Sequence, residues 1–379
     1  SNVGLIGKNA PYTGTFDGNG AEITADCILF AETDGAVIKN VNINSHVYNE
    51  KSAGIVQVAN NTSIDNCDVY ISLNYGICGG IAAEAYNSTI TNCCVTATGY
   101  IYEFGGIVYS TSGNTVIANC VLKNSGVNVT SLYGGIVGEA CGKTEIYNCA
   151  NSDIFNSRRS GGIVSYAEMS GLTLENNMYY EENDCYDVYY DIEKDECISK
   201  MVDKDSTVSE QDADGLYIPA KLNEYVRANP NQVKGTTLKT WGIDYNNEPS
   251  FANNKNPELY LIKQSGVKAD TLINGDYARG ALPGNKVTVC GIADSAVVAV
   301  TDVNGNDIKL TKNEDGYEFT MPKCDVTVSA VLDTGINETT VIDGKTYVVV
   351  KNASDFVKAV KSIADGNSEL NVYIAENIN

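Results

Sequence analysis

Basic side chains are scarce in this chain. It carries 26 Lys and Arg against 48 Asp and Glu, a formal net charge of −22, and its arginines are Arg158, Arg159, Arg227 and Arg279 alone. Such a surface repels phosphate backbones, which argues against nucleic acid and anionic membranes as partners. The simplest reading of the acidity is solubility outside a cell. His46 is the sole histidine, so no Ser-His-Asp triad or histidine metal site can be assembled without it. No apolar run approaches the roughly 18 residues that mark a membrane span, and no membrane insertion is expected. An initiator Met, signal peptide and anchor are missing too. The chain opens at Ser1-Asn2 and stops at Asn379 inside a hydrophobic-polar pattern, so both ends read as cut and these absences carry no information.

What is present is enough for packed domains. At 379 residues, with 43% hydrophobic and 20% charged side chains, the chain can bury cores, and roughly two to four units are expected. Twelve cysteines ordinarily point to disulfides in a secreted protein. Their placement within a repeat argues otherwise.

The repeat shows in Ala53-Gly54-Ile55-Val56, Gly79-Gly80-Ile81-Ala82, Gly105-Gly106-Ile107-Val108, Gly134-Gly135-Ile136-Val137 and Gly161-Gly162-Ile163-Val164, at steps of 26, 26, 29 and 27 residues. A second marker follows in each unit: Ile64-Asp65-Asn66-Cys67, Ile90-Thr91-Asn92-Cys93, Ile117-Ala118-Asn119-Cys120 and Ile146-Tyr147-Asn148-Cys149. Ile38-Lys39-Asn40-Val41 fits as an earlier copy and Leu174-Glu175-Asn176-Asn177 as a degenerate later one, giving about six rungs over residues 16–180. Each unit holds short β-prone runs such as Val69-Tyr70-Ile71-Ser72-Leu73, and no window sustains a 3.6-residue apolar period. A leucine-rich repeat lacks its leucines here, so one unit reads as one coil of a parallel β-helix. Six coils stacked at roughly 4.8 Å make a rod of about 30 Å.

Stacking accounts for the repeated residues. Gly-Gly turns a corner without a Cβ, using φ > 0 if needed. Asn40, Asn66, Asn92, Asn119, Asn148 and Asn176 form a column in which the side chain tolerates αL geometry and bonds to the Asn of the next coil. Such a column also has the form of a ligand-binding row, although a turn ladder needs no ligand. Cys67, Cys93, Cys120 and Cys149 form the adjacent column. In-register Cβ atoms about 4.8 Å apart are too far for a relaxed disulfide, so buried free thiols are expected. A metal site is the alternative, but a straight row does not converge as tetrahedral binding requires.

These segments resemble the GLUG-motif repeats of bacterial surface proteins, with Gly134-Gly135-Ile136-Val137-Gly138 the nearest copy. The final Gly is replaced by Gln57, Ala83, Tyr109 and Ser165 elsewhere, and Thr15-Phe16-Asp17-Gly18-Asn19-Gly20 looks like the segment that leads into such repeats. The resemblance implies a right-handed parallel β-helix in a secreted or cell-surface, adhesin-like setting. It also implies that Leu238-Lys239-Thr240-Trp241-Gly242-Ile243 and Asn256-Pro257-Glu258-Leu259-Tyr260-Leu261 close the last coils, with Trp241 as a capping core residue. A sugar-stacking platform is the alternative for Trp241. Phe319-Thr320-Met321-Pro322 with Asp325-Val326-Thr327-Val328-Ser329-Ala330 resembles a bacterial surface β-repeat module, an Ig-like sandwich that serves as a spacer.

The expected organisation is therefore all-β: a β-helix over 1–180, an irregular and capping segment over 181–264, a small β-sandwich over 265–333, and a short α/β segment over 334–379. Within the cap, residues 218–228 suggest a short helix. Asn304-Gly305 is a hairpin signal, and Cys290 with Cys324 is a candidate disulfide. Residues 354–364 predict an amphipathic helix with Phe356, Val357, Val360 and Ile363 on its core face, Asn352 or Ser354 as N-cap and Gly366 as stop. With the strand at 370–374, this resembles the cap that precedes a β-helix, which implies end-to-end contact with neighbouring β-helix modules.

Catalysis would need clustered carboxylates. The coil-borne acids are Asp65, Asp68, Glu84, Glu103, Glu139, Glu145, Asp153 and Glu168, and Glu84 and Glu139 share an offset but lie two coils apart. Asp302-x-Asn304-x-Asn306 and Asp203-x-Asp205 have the outline of calcium loops without the rest of an EF-hand. No catalytic, cofactor-binding or metal-binding residue is assigned and no cofactor is expected. The expected role is structural or adhesive, toward host or environmental glycans or proteins. A polysaccharide-degrading enzyme and a ligand-free spacer are the alternatives. Twenty-four tyrosines bear on this, since tyrosine suits sugar and protein surfaces. Tyr75, Tyr102, Tyr109, Tyr133 and Tyr166 fall at different offsets, so exposure decides: an exposed aromatic strip favours binding, buried rings a spacer.

Overall fold

The computed structural model describes residues 5–47, 50–123, 126–152, 159–180, 186–198, 207–208, 216–266, 269–291, 296–332, 334–336, 338–343, 345–364 and 370–378. The contacts divide the chain into Ser1–Glu258 and Leu259–Asn379.

The first unit is a β-solenoid of parallel stacked strands. One coil runs through Ile77–Gly79, turns at Gly80-Ile81, continues through Ala82–Tyr86, turns again, and passes through Thr89–Thr91 into the long strand Cys94–Gly105. Equivalent strands of successive coils pair in parallel, as in Ile64↔Ile90 and Ile90↔Ile117. The three sheets contain seven, twelve and eight strands, so stacking extends past the six rungs expected. The strand Val188–Asp191 adds a further row on Val164–Ala167. Its Val188-Tyr189-Tyr190 repeats the pattern of Val164-Ser165-Tyr166 without a Gly-Gly before it, which hides it from a motif reading.

The interior is made of columns. Ile55, Ile81, Ile107, Ile136 and Ile163 are fully buried, as are Ile38, Ile64, Ile90, Ile117 and Ile146. The cysteine column is buried and its thiols are free. Val41 holds the same place one coil earlier, which fits cysteine acting as a small hydrophobe there. Burial pushes the Cys93 and Cys120 thiols well up, and for Cys67 the neighbouring Cys93 contributes most.

At the turns, all six column asparagines adopt left-handed backbone, with φ from 52° at Asn92 to 57° at Asn119. Asn119, Asn148 and Asn176 each donate to the Asn Oδ1 one coil before at 2.7–2.8 Å. Asn92 departs from the ladder and donates to Asp65 Oδ1 at 2.8 Å. The Gly-Gly pairs need a different explanation from the one expected, because none of them has positive φ. What they supply is close approach. A Cβ on Gly80, Gly106 or Gly135 would lie 2.1, 1.9 or 2.1 Å from the carbonyl oxygen of the next coil's glycine.

Helix α1 (Tyr217–Ala228) and the segment that follows lie along the side of the coils rather than across an end. Ile218, Leu222, Tyr225, Leu238 and Trp241 pack on Cys94, Ala118, Val121, Tyr147, Ala150 and Met178, residues of successive coils that face away from the interior. Trp241 is fully buried, which rules out an exposed sugar platform, and its place corrects the expected end cap to a lateral strap. Lys123 and Asp244 tie the strap down at 2.6 Å.

In the second unit, Tyr260–Gly266 pairs in parallel with Val326–Leu332. This strand therefore does not complete the solenoid, contrary to the expectation for the Pro-Xaa-Leu segment. A four-stranded and a five-stranded sheet bury Val287, Val289, Val300, Phe319, Val326 and Val328. Asp302 Oδ1 accepts from the amides of Asn304 and Asn306 at 2.8 and 2.9 Å, so its loop is held as a turn. Cys290 and Cys324 are not joined. A three-stranded sheet of Thr339–Ile342, Lys345–Val350 and Val372–Ile374 carries helix α2 (Ala353–Ala364). Asn352 caps it, accepting from Asp355 N at 2.9 Å. Ala359 and Ser362 are its buried residues, whereas Phe356, Val357, Val360 and Ile363 are exposed, so the expected core face is its outer face. Gly366, Asp203 and Asp205 lie outside the described residues.

Candidate functional site

The solenoid's most chemically varied surface is a groove on either side of the Gly-Gly corner. In-register stacking builds both walls. One wall is the row Lys51, Ile77, Glu103, Leu132 and Arg159. The other is Val58, Glu84, Ser110, Glu139, Tyr166 and Tyr190. Small residues at the corner bring the two rows close, and that is why side chains from different strands meet.

Glu84 and Glu139 are two rows apart with Ser110 between them, as the spacing implied. Glu103 joins them from the opposite wall. The Tyr109 hydroxyl donates to Glu103 Oε2 at 2.7 Å, and the Tyr109 side chain is also in hydrogen-bond reach of Glu139. Lys51 pairs with Glu84, and its ammonium lies 6.0 Å from the centroid of the Tyr109 ring. Burial raises the Glu139 carboxyl above its ordinary range; the Tyr109 hydrogen bond opposes this and the Glu103 charge adds to it. Burial also lowers Lys51, with Glu139 opposing.

Next to this cluster is a cavity of about 390 Å³ lined by Glu139, Arg159, Tyr166, Tyr189, Tyr190 and Ile192. Tyr166 meets Tyr190 edge-on at 5.0 Å and Tyr189 at 6.0 Å, while Tyr189 and Tyr190 stack at 6.3 Å. A hydrogen bond to Asp195 fixes Tyr190 and pushes its hydroxyl up to about 12. Outside the groove, Tyr70, Tyr75, Tyr100 and Tyr102 are exposed on neighbouring coils, whereas Tyr109, Tyr133 and Tyr179 are buried.

The remaining coil acids do structural work. Asp65 accepts from Thr91 Oγ1 and Asn92 Nδ2, Glu145 pairs with Lys143 at 2.5 Å, and Glu168 accepts from Gly142 N at 2.7 Å. Asp68 is exposed on its strand, and partial desolvation raises its carboxyl against the opposing charge of Lys123. Asp153 and Arg158 lie outside the described residues. His46 sits in register with Ser72 in the twelve-stranded sheet and is not among the residues lining the cavity. Among the described residues, no three His, Cys, Asp or Glu side chains are grouped to hold a metal ion, and no helix is long and apolar enough to cross a membrane.

The sequence pointed to Glu84, Glu139 and Tyr166 but not to their meeting with Lys51, Tyr189, Tyr190 and Ile192. The available signal was the unmarked Val188-Tyr189-Tyr190 rung. No protein-family model matches the chain, and no curated protein and no solved structure matches it either. The groove's chemistry therefore has to speak for itself. Its tyrosine faces can stack on the apolar face of a sugar ring, while Glu139 and Arg159 offer an acceptor and donors to ring hydroxyls.

Proposed function

We propose that the chain is a non-catalytic structural and adhesive module of a secreted bacterial surface protein, and that its groove holds an extended glycan. The observation that carries this reading is the cluster of Tyr166, Tyr189 and Tyr190 beside Arg159 and Glu139 around one open cavity. Aromatic faces flanked by a few convergent polar groups are the composition that carbohydrate recognition calls for. The exposed tyrosines on neighbouring coils favour binding over a bare spacer. In this reading the six recurrent rungs are GLUG-type repeats, and the strands between Tyr260 and Leu332 form an Ig-like spacer.

The test is a glycan array followed by titration of any glycan retained. Binding that falls about tenfold or more in both Tyr166→Ala and Tyr190→Ala, with the fold intact by circular dichroism, supports the reading. Retention of no glycan overturns it and leaves the spacer. Retention that ignores both substitutions moves the site off the groove.

A second reading rests on Glu103 and Glu139, two carboxylates around one phenol hydroxyl, of which one is raised by burial. Such a pair has the makings of general acid and base. New reducing ends formed from a retained polysaccharide, and lost in Glu139→Gln, would replace the non-catalytic reading with this one.

A further inference from the structure

One ammonium group is already held in the groove by a carboxylate and a tyrosine face. Lys51 pairs with Glu84, and its Nζ lies 6.0 Å from the centroid of the Tyr109 ring. An aromatic face attracts a cation at about that distance, and a carboxylate beside it adds a charged acceptor. Two coils on from Glu84, the same two kinds of group line the cavity. Glu139, Tyr166 and Tyr190 are successive members of one register row. An amine held by Glu139 therefore has the Tyr166 ring about one coil spacing away, roughly 4.8 Å. The Tyr109 hydroxyl has one proton to share between Glu103 and Glu139, which leaves Glu139 acceptor capacity at the cavity wall. At about 390 Å³ the cavity lies within the size range of small-ligand sites.

Charge around the cavity has the matching sign. The groove walls carry Glu84, Glu103 and Glu139 against Lys51 and Arg159. The hairpin that supplies Tyr189, Tyr190 and Ile192 carries Asp191, Glu193, Asp195 and Glu196 against Lys194. With Arg159 counted, these described residues hold an excess of four negative charges. Lys51 and Lys194 are each engaged by an acid, Glu84 and Asp191. A uronic or sulfated sugar is repelled by such a site, and a protonated amine is drawn to it.

We propose that the groove's glycan is built of amino sugars whose nitrogen is not acetylated, and that the cavity seats one such residue with its ammonium on Glu139 beside the Tyr166 ring. This rests on the glycan reading and narrows it. Arg159, on the opposite wall, is left to donate to neutral hydroxyls.

Calorimetric titration of the full chain, near neutral pH, tests it with paired oligosaccharides of glucosamine and of galactosamine, free or N-acetylated. The free-amine member of a pair should bind about tenfold or more tightly, by a margin that shrinks in high salt. Glu139→Gln should remove the margin, and Tyr166→Ala should weaken both members. Glu145→Gln takes the same charge from the chain at a residue that does not line the cavity, and should leave the margin intact. Spermidine, an amine without a sugar ring, should compete about tenfold more weakly. Equal binding of both members through Tyr166 and Tyr190 overturns the inference and leaves the glycan reading standing. A margin that survives Glu139→Gln overturns it as well. So does one lost equally in Glu145→Gln, which reports attraction to the acidic chain as a whole, and so does spermidine competing as well as the sugar. If no glycan of any kind is retained, the glycan reading itself falls and takes the inference with it.

Discussion

The indole Nε1 of Trp241 donates to Asn119 Oδ1 at 2.7 Å, joining the strap to a rung of the asparagine ladder across 122 residues of sequence. The same Oδ1 accepts from Asn148 at 2.7 Å, and Asn119 Nδ2 donates to Asn92 and to the Lys239 carbonyl at 2.8 and 3.0 Å. Asn223 on α1 holds the backbone of Trp241 from the other side, accepting from its N–H at 2.6 Å and donating to its carbonyl at 2.8 Å. A column that looks like a stacking device is therefore also the track on which the strap is registered.

Asn119 combines a left-handed backbone with four side-chain hydrogen bonds, three of them buried and the one to Lys239 partly so. Asn119→Ala should cost about 4 kcal/mol, from strain at positive φ together with orphaned buried partners. Asn119→Gly relieves the strain but not the lost bonds and should cost about 1 kcal/mol less. Urea midpoints of the two variants check this. Equal losses would show that φ at this turn is not constrained.

Gly106→Ala sets a Cβ 1.9 Å from the Gly135 carbonyl oxygen, where only backbone can yield. The expected loss is about 3 kcal/mol or more, because one coil must lift off the next. Gly20→Ala is the control for conformational freedom alone: its φ is 71°, and a Cβ there meets nothing within 4 Å. It should cost only about 1 kcal/mol. Thermal melts that rank the two in the opposite order would refute close approach as the reason for the Gly-Gly pairs.

Glu139 is raised above its ordinary value of 4.5, chiefly by burial. A group raised in the folded state contributes stability that is fully present below its unfolded value and lost as pH rises through its folded value. Glu139→Gln should therefore melt higher than the parent at neutral pH and level with it below pH 4.5. Melting curves at both ends of that window decide the matter. A less stable Gln variant at neutral pH would mean that the Tyr109 hydrogen bond and the Lys51 charge, and not burial, govern this carboxylate.

The repeat was legible because each coil faces the same environment, so the same residue types recur at the same place. Ile64, Ile90 and Ile117 are interchangeable for that reason, and so are Asn66, Asn92 and Asn119. The parallel stack, the free cysteine column and the left-handed asparagine turns follow from that one-dimensional order. The Val188 rung was not legible, since its row is made by pairing to Val164 and not by a motif. Nor was the outward face of α2: a 3.6-residue pattern shows that one side of a helix is apolar, not whether its own domain covers that side.

Sequence by itself determined the coil, its period and the residues of its columns, because those depend on neighbours one period away. Tertiary structure alone decided where the strap lies and which tyrosines share a cleft with Glu139. It also decided that Gly-Gly serves close approach rather than positive φ. Each of these depends on contacts between strands of different coils or on a segment outside the repeat, and no local pattern encodes such a distance.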